Sequence, residues 1–270
     1  MTALNVVIEG LGQTEIAVQT AGPADGSVVL LIHGSGPGAS AAGAWRATLP
    51  FLGEHYRVIA PDLLGFGGTA PASDGRHDRE RWLAQLLAVL DSVDAPSVQV
   101  VGSSLGGGLA LHLALRRPDR IGRLALIAPL GSSFSITPGL ERVWGYQPSL
   151  PAMDALMHTF VHDAAGISDD IVQLRYENSL VAQDVYSRMF PDPRQRWIED
   201  YVVTAEEVAQ LATPTLIVHG REDQVVPFVS SFNLFQALPN SRLLGIANCG
   251  HWAQIEYADE VNSALRAFFT

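Results

Sequence analysis

Cysteine is almost absent from this sequence. Cys249 is the only one in 270 residues, so no internal disulfide forms and cysteine-based zinc clusters are excluded. Positive charge is scarce too. Seventeen Lys and Arg face 28 Asp and Glu, for a formal net charge of -11. Such a chain repels nucleic acid and anionic membranes, which both call for a basic surface. Long apolar runs are also missing. No stretch approaches the roughly 20 residues of a membrane helix. The start, Met1 to Glu9, lacks the basic-then-apolar pattern of a secretory signal. The expectation is a soluble, cytoplasmic protein that acts on a small molecule, with no nucleic-acid or membrane partner. A homo-oligomer stays open, because no separate sequence signal bears on it.

What is present has an ordinary globular balance, 47% hydrophobic and 17% charged. The length suits one large α/β domain, or a core with a small insertion. Short apolar runs recur along the chain. Val28-Val-Leu-Leu-Ile-His33, Tyr56–Ala60, Ser97–Val101, Leu124–Ala128, Thr215–His219 and Arg242–Ile246 read as buried parallel strands. Between several of them lie helical patterns. Arg79 to Val93 carries an apolar stripe at Trp82, Leu83, Leu86, Leu87 and Leu90. Leu105 to Arg117 and Ala258 to Phe269 are two more. Asn5–Ile8 and Thr14–Thr20 read as an antiparallel pair ahead of them. Alternating strands and helices predict a mostly parallel central sheet flanked by helices on both faces.

One segment breaks this rhythm. Residues 132–204 hold no convincing buried strand and are punctuated by Pro138, Pro148, Pro151, Pro191 and Pro193. Helical stretches at Pro151–Phe160 and Asp169–Leu180 lie between the prolines. The segment reads as a helical cap inserted into a core made of residues 1–131 and 205–270.

The strongest chemical signal is Gly102-Ser103-Ser104-Leu105-Gly106. A G-x-S-x-G sequence means little alone. Here it follows a strand and opens a helix, the setting of a nucleophile elbow. Small neighbours permit the tight turn, and the helix N-terminus favours developing negative charge. Ser104 holds the central position; Ser103 does not. The plain structural alternative is a glycine-rich turn with a serine N-cap.

A serine of ordinary pKa needs a base. The chain order expected is Ser, then acid, then His. His112 falls inside a helix, His158 and His162 in the cap, and His219 at a strand end, where a structural role fits. His251 lies in a loop after the sixth buried strand, where the base belongs. The acid should follow a strand end. His219-Gly-Arg-Glu-Asp223 offers Glu222 and Asp223, while Ala128-Pro-Leu-Gly131 offers none. Two backbone N–H groups should form an oxyanion hole: Leu105, after the nucleophile, and Ser35, in His33-Gly-Ser-Gly-Pro-Gly38. That loop lacks the Lys-Ser/Thr of a nucleotide P-loop and the GxGxxG fingerprint. No cofactor and no metal is expected.

Over nearly its whole length the chain resembles the meta-cleavage product hydrolases of aromatic degradation, within the α/β-hydrolase superfamily. The resemblance rests on His33-Gly-Ser-Gly-Pro-Gly38, Gly102-x-Ser104-x-Gly-Gly107, His219-Gly-Arg-Glu-Asp223 and Cys249-Gly-His-Trp-Ala-Gln-Ile-Glu256. In the cap it rests on Val143–Ala152, Leu174-Arg-Tyr176 and Met189–Trp197, which are similar to the branch acting on products of alkylbenzene degradation. It implies Asp223 as the acid, with Glu222 a solvated loop charge. It also implies hydrolysis of a carbon–carbon bond in a 2-hydroxy-6-oxo-hexa-2,4-dienoate-type ring-cleavage product. Gly34, Ser103, Arg175 and Trp252 are the implied substrate contacts. Arg175 matches the family arginine near the dienoate carboxylate, a role that suits a permanently charged, two-pronged donor. Two positions depart from the family. Ser103 and Ala44 stand where the family usually has asparagines that hold the polar end of the dienoate. A carboxylesterase or lactonase with the same triad is the alternative that these departures leave. A catalytically dead binding module is disfavoured by an intact Ser104, Asp223 and His251. Enzymes of this fold that cleave carbon–halogen bonds or epoxides carry Asp in the place of Ser104.

Overall fold

The computed structural model describes residues 2–270. Eight strands form one sheet: β1 (Thr2–Ile8), β2 (Gly12–Ala21), β3 (Val28–Ile32), β4 (Arg57–Pro61), β5 (Val98–Ser103), β6 (Ile121–Ile127), β7 (Thr215–Gly220) and β8 (Ser241–Ile246). Their order is β1-β2-β4-β3-β5-β6-β7-β8. The pairs β1–β2 and β2–β4 are antiparallel, and every later pair is parallel. The α/β architecture expected from the alternating pattern is the one observed.

Burial on both faces explains the apolar runs. In β3, Val28, Leu30 and Ile32 enter one core cluster, while Val29 and Leu31 enter the other. This is the two-residue period of a strand covered on both sides. The helix Arg79–Asp91 and the elbow helix Leu105–Arg116 share the first cluster with Trp82, Leu86 and Leu109. The helix Ala258–Phe269 covers the opposite face through Val261, Leu265 and Phe268. No helix among the described residues is long and apolar enough to cross a membrane.

Element ends differ from the sequence reading where backbone pairing, not side-chain pattern, decides them. β1 begins at Thr2 because Thr2, Ala3 and Leu4 pair with Val18, Ala17 and Ile16. β6 begins at Ile121, three residues early, through its pairing with Val98. The first long helix begins at Arg79 as expected, where the Asp78 side chain caps the N–H of Arg81, and ends at Asp91, two residues before Val93.

Between β6 and β7 the chain is helical among the described residues. Besides Leu150–Phe160 and Asp169–Val181, the segment holds Pro138–Trp144, Gln183–Met189 and Gln195–Glu199, which the sequence pattern did not separate. Its Trp144, Met153, Leu156 and Phe190 join the same cluster as Trp82 and Leu105. The segment is therefore packed continuously onto the sheet domain.

One contact sets how close the helical segment comes. Gly38 has φ +64, and a Cβ there would lie 2.9 Å from Ser179 N and 3.0 Å from Arg175 O. Backbone faces backbone, so Gly38→Ala meets both a strained conformation and a clash. It is expected to destabilise by about 1–3 kcal/mol, read as a fall in thermal midpoint by circular dichroism.

Candidate active site

The elbow is held at β5, the centre of the sheet. Ser104 has φ 56 and ψ -122, a left-handed backbone that a serine adopts only under constraint. Ties on both sides impose it. Ser104 N–H donates to Ile127 O at 2.8 Å, and Ser104 O accepts from Gly107, Gly108 and Leu130 N–H at 2.9, 3.1 and 3.2 Å. A Cβ on Gly102 would lie 2.2 Å from Gly106 O, and one on Gly106 would lie 2.3 Å from Ile32 O. Only glycine lets the three segments approach this closely.

Asp223 and His251 come together from two loops at the sheet's carboxyl end, which follow β7 and β8. His251 Nδ1 lies 2.7 Å from Asp223 Oδ2, with the two side chains 2% and 0% exposed. Asp223 Oδ1 accepts from Val225 and Val226 N–H at 2.7 and 3.0 Å. Burial alone would raise the Asp223 pKa. The His251 charge and the donors from His219 and His251 outweigh it and hold the carboxyl well below the usual range. An ionised Asp223 keeps the hydrogen on His251 Nδ1 and leaves Nε2 as the basic atom. Ser104 and His251 line the same cavity, although no hydrogen bond joins them among the described residues. Such contacts commonly tighten only on substrate binding.

The glycine loop closes the third side. A Cβ on Gly34 would lie 3.1 Å from Ser104 Cβ, so this loop touches the candidate nucleophile. His33 Nε2 accepts from Leu63 N–H at 3.0 Å, which places its hydrogen on Nδ1, 2.7 Å from Gly34 O. Burial lowers the His33 pKa and keeps the ring neutral. Asp62 accepts from Ala41 N–H at 2.6 Å and from Gly68 N–H at 2.8 Å. Ser35 is buried, and its Oγ accepts from Trp144 Nε1 of the helical segment at 3.0 Å. Among the described residues, neither Ser35 nor Leu105 N–H meets a backbone acceptor, which leaves both for an oxyanion.

Arg175, on the helix Asp169–Val181, turns into the cavity rather than to the surface. Its Nη2 would lie 3.2 Å from a Cβ on Gly36, and its guanidinium carbon is 5.6 Å from the Trp252 ring centroid. Its Nε is buried with no partner, and no carboxylate pairs with it among the described residues. Burial lowers its pKa to about 10, so it stays charged at neutral pH. Trp252 also stacks on Phe160, with centroids 4.1 Å apart. The cavity encloses about 950 Å³ of empty space, open solvent at its mouth included. Ser103 and Ala44 line it as well. Ser103 Oγ accepts from Gln254 Nε2 at 3.4 Å.

A family model described as the alpha/beta hydrolase fold matches residues 27–258. The chain is 42% identical over 233 residues to the 2-hydroxy-6-oxo-2,4-heptadienoate hydrolase of Pseudomonas putida F1, covering 86% of this chain and 84% of that one. It belongs to the meta-cleavage product hydrolases of the α/β-hydrolase family. This hydrolase is also 42% identical over 250 residues to a 2-hydroxymuconate semialdehyde hydrolase of Pseudomonas putida, with 90% and 87% covered. Its structure overlays that of the meta-cleavage product hydrolase CumD with a TM-score of 0.94, at 40% identity and with 98% and 97% of the chains covered. The 2-hydroxy-6-oxo-6-phenylhexa-2,4-dienoate hydrolase of Rhodococcus sp. RHA1 overlays at 0.90, with 29% identity and 99% of each chain covered.

Several supports of this hydrolase's site escaped the sequence reading: His33, Asp62, Trp144 and Glu256. Glu256 accepts from Gly250 N–H at 2.7 Å and from His162 N–H at 2.8 Å, binding the His251 loop to the helical segment. Its place five residues after His251 was the available signal. Glu222, expected as a solvated charge, is half-buried and accepts from Cys249 N–H at 3.2 Å. It braces the His251 loop because the turn after β7 lies directly against it. Trp144→Phe removes the donor to the buried Ser35 Oγ while keeping a ring to stack on Phe190. The expected outcome is a roughly tenfold lower kcat, measured under saturating substrate, and a loss of about 1–3 kcal/mol in urea unfolding.

Proposed function

We propose that this hydrolase cleaves a carbon–carbon bond in 2-hydroxy-6-oxo-hexa-2,4-dienoate-type ring-cleavage products. Ser104 is the nucleophile, His251 the base and Asp223 the acid that orients it. The observation that carries the substrate reading is Arg175: a charged guanidinium in the same cavity as Ser104, without a carboxylate of its own. A half-buried cation with free donors fits a substrate carboxylate, which it binds in two places. Residues 132–204 act as the cap that brings it there.

The reaction follows from these positions. The dienol first ketonises, with His251 moving the proton from the enol oxygen to carbon. Ser104 Oγ then attacks the 6-oxo carbon as His251 Nε2 takes the hydroxyl proton. The N–H groups of Ser35 and Leu105 hold the oxyanion. Collapse breaks the adjacent carbon–carbon bond. The leaving carbon keeps the electron pair and takes the proton back from His251. Water, activated by the same histidine, releases the acyl group from Ser104 as a carboxylic acid. The second reading is an esterase with the same machinery. It is favoured by Ala44, which offers the cavity wall no hydrogen bond where the family carries an asparagine.

The deciding experiment offers the purified protein a coloured dienoate and, separately, a short-chain p-nitrophenyl ester. Loss of dienoate colour is expected; ester turnover with an untouched dienoate overturns the carbon–carbon reading. Ser104→Ala should stop turnover with the fold intact by circular dichroism. Arg175→Ala is expected to lower kcat/KM for the dienoate by roughly 10- to 100-fold more than for the neutral ester. Equal losses on the two substrates reject the carboxylate role.

A further inference from the structure

Asp223 serves two histidines, not one. His251 Nδ1 and His219 Nε2 both reach the same carboxylate oxygen, Oδ2, at 2.7 and 3.0 Å. His219 is the penultimate residue of β7, four residues before Asp223, and its side chain is 0% exposed. The other carboxylate oxygen is taken by the N–H groups of Val225 and Val226. All four donors are therefore in place around a carboxylate that no solvent reaches.

The hydrogen on His219 can be assigned. Nε2 lies 3.0 Å from Val226 O as well as 3.0 Å from Asp223 Oδ2. A carbonyl and a carboxylate only accept, so the hydrogen is on Nε2. Nδ1 is hydrogen-bonded to the Oγ of buried Ser231, on the helix Phe228–Ala237, at 2.6 Å. The Phe228 ring packs against the imidazole with centroids 5.6 Å apart. The result is a buried N–H donor whose ring is held on both sides.

We propose that His219 is a positioning residue for catalysis, whose Nε2–H locks Asp223 Oδ2 in the orientation that receives Nδ1–H of His251. The inference rests on the Ser104–His251–Asp223 reading. A carboxylate held on one oxygen by two amides and on the other by two rings cannot turn without breaking several bonds at once. The Nε2–H of His219 also meets the second lone pair of Oδ2, so the carboxylate stays hydrogen-bonded on both oxygens while the imidazolium forms on His251. Without it, a buried acceptor is left short of a partner, and Oδ2 keeps His251 as its remaining donor.

The test compares His219→Phe, which keeps a ring and removes the donor, with His219→Gln, which returns an amide N–H near the same point. The readout is the rate at which a fluorophosphonate probe labels Ser104, together with kcat and KM for the coloured dienoate. Labelling and kcat are expected to fall roughly 10- to 100-fold in the Phe variant with KM little changed, and to recover roughly tenfold in the Gln variant. A folded Phe variant that labels at the native rate overturns the proposal, as does a folded Gln variant no faster than Phe. If the Phe variant does not fold, Ser231→Ala decides, because it frees Nδ1 and lets the ring turn. Slower labelling by about threefold supports the lock, and native labelling rejects it. Labelling that persists in Ser104→Ala refutes the nucleophile assignment itself, and this inference falls with it.

Discussion

A serine backbone at φ 56 costs on the order of 1–3 kcal/mol, and nothing in the serine itself relieves that strain. The surrounding structure holds it. Ser104 is bonded through its N–H to β6 and through its carbonyl to the elbow helix and to the loop after β6. The three segments meet only because Gly102 and Gly106 carry no Cβ. The strain points the hydroxyl out at the carboxyl end of β5, where the loops after β3, β7 and β8 also end. The buried sheet supplies rigidity. With both faces of β3 and β7 fully covered, the strand ends have little freedom to shift.

Around this fixed point the polar groups divide by task. Those below the substrate belong to the sheet loops, and each is backed by a second residue: Asp223 by His219, His33 by the Leu63 N–H, and the His251 loop by Glu222 and Glu256. Those above it come from the helical segment. This segment touches all three loops, through Trp144 to Ser35, through Thr137 Oγ1 to Val225 O, and through Arg175 to Trp252. The Arg175 side of the cavity and the glycine loop thus share supports. A change in the helical segment is felt at the glycine loop through one indole hydrogen bond.

The legible parts of the molecule were those with local signatures. The apolar runs, the strand–turn–helix context of Ser104, and the loops carrying Asp223 and His251 all follow from short-range pattern and chain order. Arg175 was legible only through resemblance, because a helix of mixed polarity shows no periodic face to say which way an arginine points. The bracing residues were illegible for a different reason. Asp62 meets Ala41 and Gly68, and Trp144 meets Ser35 more than 100 residues away. These are side-chain contacts to distant backbone or hydroxyl groups, which leave no spacing to detect. Glu222 was read as solvated because charged loop residues usually are. The turn after β7 folds it instead against Cys249.

The contact at Gly38 has a consequence for how this site varies. At Gly38 the contact is main chain against main chain, with no side chain to shorten or lengthen. The glycine loop and the Arg175 helix behave as a fixed jaw, whose gap is set by the radius of the polypeptide itself. Another part of the wall is different. Leu140, Val143 and Met157 line it with side chains from two other helices of the segment, and their size changes with single substitutions. With Arg175 in the role proposed for it, the carboxylate end of a bound dienoate meets the fixed jaw. Its other end is left to drift with single substitutions, as in a vice with one jaw welded and one jaw on a screw.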